Sequence, residues 1–327
     1  MKPSMSVRLV LGALILITFA GCSINQLAVD VLADTLAGGD GGGASVFTSD
    51  PDPELVGDAL PFALKLYEII LQESPDHEAL LLATGSGFIS YANAFVATPA
   101  SMLPFEEFEQ QLFLQRRAKA LYLRGREHLI HGLDVRYPGF EEAVLAQDTD
   151  ALKAVLGKMR VEDVPFLYWI GAGWVAAFSL DTFDLELAFS VTKAELLMVR
   201  ALELDPRYSD GAIHSFLLQY YAALPTSLGG SREKAEFHYQ EALRIGDKRL
   251  AGPYLSYAES ILIPEQDVDG FIALMERALA VDVDAYPAAR LINTLTQRKA
   301  RWYLDNLEEF FLLDLPLDEA IEDDEEQ

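Results

Sequence analysis

The chain has 327 residues, 51 of them Asp or Glu and 25 Lys or Arg, for a formal net charge of −26. So acidic a surface repels nucleic acid and anionic lipid head groups, which argues against a nucleic-acid-binding role. Half of the residues (51%) are hydrophobic, enough for a sizeable core, and the lone cysteine, Cys22, rules out an internal disulfide.

Lys2 and Arg8 flank the start of an apolar run over 9–20 that leads into Phe19-Ala20-Gly21-Cys22. A run of about a dozen apolar residues is short for a bilayer span and fits a signal-peptide core. Small residues directly before the cysteine are what a lipoprotein signal peptidase requires. Residues 1–21 are therefore expected to be a signal, and Cys22 the lipidated first residue of the mature chain. Ser23 rather than an aspartate follows it, which favours the periplasmic side of the outer membrane over the inner. Attachment is expected through that lipid anchor only.

Residues 22–54 read as a short membrane-proximal helix and a Gly-rich tether ending in Asp50-Pro51-Asp52-Pro53. The folded body is expected over 55–315, followed by an acidic tail over 316–327. Helices are predicted over 58–73, 78–96 with Asp76 as cap, 105–135, 140–147, 151–158, 165–180, 185–204, 209–223, 232–245, 253–262, 268–281 and 287–313. No stretch alternates apolar and polar residues long enough for a sheet, so the fold class is all-α.

Ala235, Tyr239 and Ala242 share one helix face, with small residues where a neighbouring helix must come close, and Ala194, Met198 and Ala201 repeat the spacing before Pro206. This is the second-helix pattern of a tetratricopeptide repeat. The anchors Ala201, Ala242 and Ala278 stand 41 and 36 residues apart, against about 34 in the ideal repeat. A degenerate array with insertions, folded as one compact helical domain, is the expectation. Arrays of this kind present a concave wall to a partner.

Residues 79–105 and 164–180 contain no Asp, Glu, Lys, Arg or His, although 23% of the chain is Asp, Glu, Lys or Arg. A helix apolar on every side is central in a large fold or lies in a membrane. Gly85 and Gly173 permit close backbone approach or leave room for a ligand. Phe88, Tyr91, Phe95, Tyr168, Trp169, Trp174 and Phe178 then line either a tight core or an apolar cavity.

No catalytic constellation is evident, and the expectation is a protein that is not an enzyme and needs no metal or cofactor. Among five histidines, only His128 and His131 share a helix face, without a second ligand pair, and read as solvated. Gly85-Ser86-Gly87 lacks the G-x-S-x-G elbow. Gly229-Gly230-Ser231 lacks phosphate-loop spacing and reads as a loop between helices. Arg116, Arg117, Lys119, Arg124 and Arg126 form the densest basic cluster, either a docking face or a solvated helix side, with Arg116, Arg117 and Arg124 as the docking candidates.

Several segments together resemble the TatT family, the tetratricopeptide-repeat lipoproteins associated with TRAP transporters. They are Asp50-Pro51-Asp52-Pro53-Glu54-Leu55, Gly85-Ser86-Gly87-Phe88, Leu167-Tyr168-Trp169 with Gly173-Trp174, Arg200-Ala201-Leu202-Glu203-Leu204-Asp205-Pro206, Ala223-Leu224-Pro225 with Gly229-Gly230-Ser231, Arg290-Leu291-Ile292-Asn293 and Gln297-Arg298-Lys299-Ala300. The resemblance implies an all-helical homo-oligomer, a trimer, that partners a periplasmic solute-binding protein of the TRAP type. It also implies an apolar channel for a hydrophobic, organic-acid-like ligand. The Gly-rich insertion at 38–43 departs from the family pattern. The alternative reading is a scaffold lipoprotein for envelope assembly, which needs a peptide groove but no cavity.

Overall fold

The computed structural model describes residues 46–226 and 229–312; the predicted signal, Cys22, most of the tether and the acidic tail lie outside them. The described residues form helices and no strand. In chain order the principal helices are α1 (Pro53–Glu73), α2 (Glu78–Ala92), α3 (Phe108–Arg136), α4 (Phe140–Leu145), α5 (Asp150–Leu156), α6 (Val164–Leu180) and α7 (Leu185–Ser190), then α8 (Thr192–Leu204), α9 (Tyr208–Ala223), α10 (Arg232–Ile245), α11 (Gly252–Tyr257), α12 (Val268–Leu279) and α13 (Arg290–Asp305).

Local chemistry sets the boundaries. Asp52 accepts from the Leu55 amide at 3.0 Å and Pro53 occupies the first turn, so α1 starts earlier than position 58. His77, not Asp76, caps α2 through Nδ1 (3.2 Å to the Leu80 amide), because the Asp76 carboxylate faces His131 at 3.0 Å. α2 runs on through a wide π turn, Asn93–Ala97, into Thr98–Ser101. The expected single helix over 185–204 is two: α7 ends at Ser190, whose hydroxyl accepts from Trp174 Nε1 at 3.1 Å, and Lys193 of α8 turns inward to the Val144 and Ala146 carbonyls. Residues 209–211 are left-handed, so the regular part of α9 begins after Gly211. α13 stops at Asp305, not 313, because the chain doubles back to pack Phe310 and Phe311 on Tyr303 and Phe271.

The helices form a closed ring. α2 touches α6, α6 touches α9, α9 touches α11, α11 touches α13, and α13 reaches α1, which packs on α2. Arg298 of α13 donates to Glu54 of α1, and Arg290 donates to the Ser49 carbonyl at 2.7 Å, so the two ends of the body are joined. A second row backs the ring, with α3 packed on α2 and α6, α8 on α6 and α9, α10 on α9 and α11, and α12 on α11 and α13.

Candidate functional site

Both uncharged segments are long and apolar enough, by length and composition alone, to cross a membrane. Their packing accounts for that composition. α3 lies on both of them, and the helices meet through glycines. A Cβ on Gly85 would sit 2.6 Å from the Gly125 carbonyl oxygen, and one on Gly173 would sit 2.7 Å from Ile89 Cδ1. Gly85 and Gly173 are therefore points of close helix contact, with no room for a ligand at either Cβ position.

The aromatic candidates divide in the same way. Trp174 is buried, hydrogen-bonded to Ser190 and roofed by the Arg126 guanidinium 4.8 Å from its ring. Burial holds Arg126 below the usual guanidinium range, and its Nε has no hydrogen-bond partner among the described residues. Phe88 is buried between the His128 ring and the Arg124 guanidinium, 4.9 Å above it. Phe95 fills the notch at Gly57 of α1, and Tyr91 is stacked on Phe95 and covered by Arg117. Phe178 packs on the core from the side. Of these five, Trp174 and Phe88 are buried, and Tyr91, Phe95 and Phe178 are half-buried against neighbouring side chains.

Tyr168 and Trp169 are half-buried as well. With Pro165, Ala172 and Ala176 they form one half-buried stripe of α6 at helical spacing. Their rings meet edge to face at 5.2 Å, and Tyr168 touches Tyr208 of α9 at 5.3 Å. Burial pushes the Tyr168 phenol up to about 12 and raises Tyr208 as well, although both side chains keep open surface. α9 adds Ala212, Ser215 and half-buried Phe216 at the same spacing, and Gln219 donates to Ser256 of α11 at 3.2 Å. The sequence singled out the α6 stripe but not its α9 counterpart, whose apolar spacing is diluted by Ser215 and Gln219.

The basic cluster is largely spent within the fold. Lys119 bridges Asp181 and Asp184 (2.8 and 2.7 Å), and Arg124 pairs with Glu68. His128 joins Glu68 as well, so it is a half-buried partner rather than a solvated histidine. Arg116 and Arg117 remain exposed; the first bonds its own helix at the Leu112 carbonyl, and the second the Tyr91 hydroxyl at 3.3 Å. Among the described residues no group of three or more His, Cys, Asp or Glu is arranged to hold a metal.

One pair escaped the sequence reading because its members are 24 residues apart. His214 of α9 and His238 of α10 are buried with Nδ1 atoms 2.9 Å apart, one donating and the other accepting. Burial, then His214 and Lys234, depress His238 to about 4.

A 39% identical relative, an uncharacterized protein of Treponema pallidum (strain Nichols), aligns over 303 residues, 90% of this chain and 94% of the relative. The profile of the TRAP transporter T-component family (TAtT) matches residues 49–311, the whole ring from the segment before α1 to Phe311. With that match across the body, the chain belongs to the TRAP transporter T-component family, which carries a TRAP-associated role at the cell envelope.

Proposed function

We propose that this chain is a periplasm-facing lipoprotein, anchored at Cys22, that docks a TRAP-type solute-binding protein and passes an apolar, organic-acid-like ligand through the ring. The carrying observation is the closed cycle of helix contacts, with the half-buried Tyr168 and Trp169 stripe on α6, one of its members. Tyr168, Trp169, Tyr208 and Phe216 are the lining residues, and exposed Arg116 and Arg117 are the docking candidates on an otherwise acidic surface. The transfer needs no nucleophile and no metal. Self-association as a trimer, which the resemblance implies, belongs to the same reading.

The test is mass spectrometry of the purified full chain under non-denaturing conditions, with mixing against a purified TRAP-type solute-binding protein from the same envelope. A bound apolar compound that disappears in Trp169→Ala, together with a complex that weakens in Arg116→Ala/Arg117→Ala, is the expected result. A ligand-free chain that forms no complex sinks the proposal. The close crossing at Gly85 and Gly173 favours the scaffold reading as the second choice; a complex without any bound compound would point there.

A further inference from the structure

A cleft of about 360 Å³, away from the Tyr168 and Trp169 stripe, is lined by Lys248, Arg249, Tyr254, Arg277, Val281 and Asp282, with Ala280 and Ala285. Three of its eight lining residues are cations and one is an acid, on a chain with twice as many acids as bases. Arg249 is occupied: its guanidinium reaches Asp210 at 3.4 Å and lies 4.3 Å over the Tyr286 ring. Lys248 and Arg277 are exposed and make no ion pair among the described residues. The rest of the lining is apolar or aromatic, with Tyr254 buried in the wall.

The cleft is built, not incidental. Its two walls are the turn between α10 and α11 and the end of α12, and both are fixed by buried amides on successive turns of α13. Asn293 accepts from the Ala251 amide and donates to the Arg249 carbonyl, both at 2.9 Å. Gln297 donates to the carbonyls of Ala278, Leu279 and Val281 (3.1, 3.2 and 2.7 Å). Backbone strain gathers at the same place. Of the five non-glycine residues with left-handed φ among those described, four are Ser209, Asp210, Asp247 and Lys248. Asp210 ties the two turns together, through Arg249 and through the Tyr286 hydroxyl at 2.8 Å. A lysine held at φ 57° costs free energy that glycine would not, and strain kept at a cleft wall points to the side chain it presents.

From this arrangement we infer that the cleft binds a small organic anion, with its carboxylate on Arg277 and Lys248 and its apolar body against Tyr254, Val281 and Ala285. Arg277 offers the planar fork that suits a carboxylate, and Lys248 adds a point charge. The Asp282 carboxylate in the lining disfavours highly charged phosphates. The volume fits a molecule at the small end of ligand sites. The inference does not rest on transfer through the ring and stands or falls separately.

Calorimetric titration of the full chain in detergent with phenylacetate, glutarate, inorganic phosphate and neutral phenylacetamide tests it. Saturable binding of at least one carboxylate is expected, with none for phenylacetamide, and a loss of about tenfold or more in Arg277→Gln and in Lys248→Gln. Lys248→Gly is expected to weaken binding while raising the unfolding midpoint, which separates the cation from the backbone it strains. No saturable carboxylate binding up to about 10 mM, where binding is weaker than about 3 kcal/mol, overturns the inference. So do equal affinities in wild type and both glutamine variants, or tighter binding of phosphate than of either carboxylate.

Discussion

Gly85 and Gly125 cross so closely that a Cβ added to either would stand 2.6 Å from the carbonyl oxygen of the other. Backbone meets backbone there, with no flexible side chain to yield. Gly125→Ala is expected to destabilise the fold by about 1–3 kcal/mol through overpacking. Gly157→Ala is the control: its backbone is right-handed and the nearest atom to a new Cβ is 3.5 Å away, so unfolding in urea should show no loss.

The two tryptophans of α6 are expected to part company on truncation. Trp174 is 1% exposed and hydrogen-bonded, so Trp174→Ala should cost about 3–5 kcal/mol. Trp169 is half-buried, so its replacement should cost clearly less and, on the proposed function, remove any bound apolar compound. Equal stability losses in the two variants would place Trp169 in the core instead.

The histidine pair predicts a pH dependence with a definite sign. His214 and His238 are both held below the ordinary histidine value of 6.5 by burial, His238 at about 4. Between those limits the unfolded chain binds more protons than the folded one, so stability rises with pH across the window. Acidifying from 6.5 toward 4 therefore removes stability, and below about 4 the pair contributes no further slope. Carboxylates such as Glu68, with lowered values, add losses of the same sign at lower pH. The diagnostic is the difference between chains: urea midpoints of His238→Asn should vary less than wild type between pH 6.5 and 4.5.

Asn293→Ala strands the Ala251 amide and the Arg249 carbonyl in the interior, for an expected cost of about 1–3 kcal/mol. Hydrogen exchange should quicken across 246–254 before it does elsewhere. Uniform quickening would mean that Asn293 serves the global core rather than this turn.

Arg298→Ala should leave the thermal midpoint within error, since the pair with Glu54 is exposed at both ends. Exchange in the first turns of α1 should nevertheless accelerate, because that contact helps to close the ring. Unchanged exchange would show that the Gly57–Phe95 contact suffices alone.

Much of the helical pattern was legible from residue order. Ala235, Tyr239 and Ala242 at helical spacing after the Gly229-Gly230-Ser231 loop placed α10 at Arg232–Ile245, where it stands, because an apolar face is set within a few turns. The absence of charge over 79–105 and 164–180 marked those helices as central or membrane-spanning for the same local reason. Errors fell where a distant partner intervened: Asp76 left its cap to reach His131, and Lys193 bent the chain toward Val144 and Ala146. The candidate site was legible only in part. Tyr168 and Trp169 announced an apolar face, but nothing near Gly85 or Gly173 in the chain reveals that Gly125 and Ile89 occupy their notches.

Composition, caps and periodicity therefore determined an acidic, all-helical body with two neutral helices at its centre, since those properties depend on neighbours within about one or two helical turns. Tertiary structure alone decided that the row of helices closes on itself through Arg298 and Glu54, that His214 meets His238, and that Asn293 and Gln297 fasten two turns around Lys248 and Arg277. Each of those contacts joins residues from different helices, and only a compact packing that buries the apolar faces together brings them within hydrogen-bonding reach.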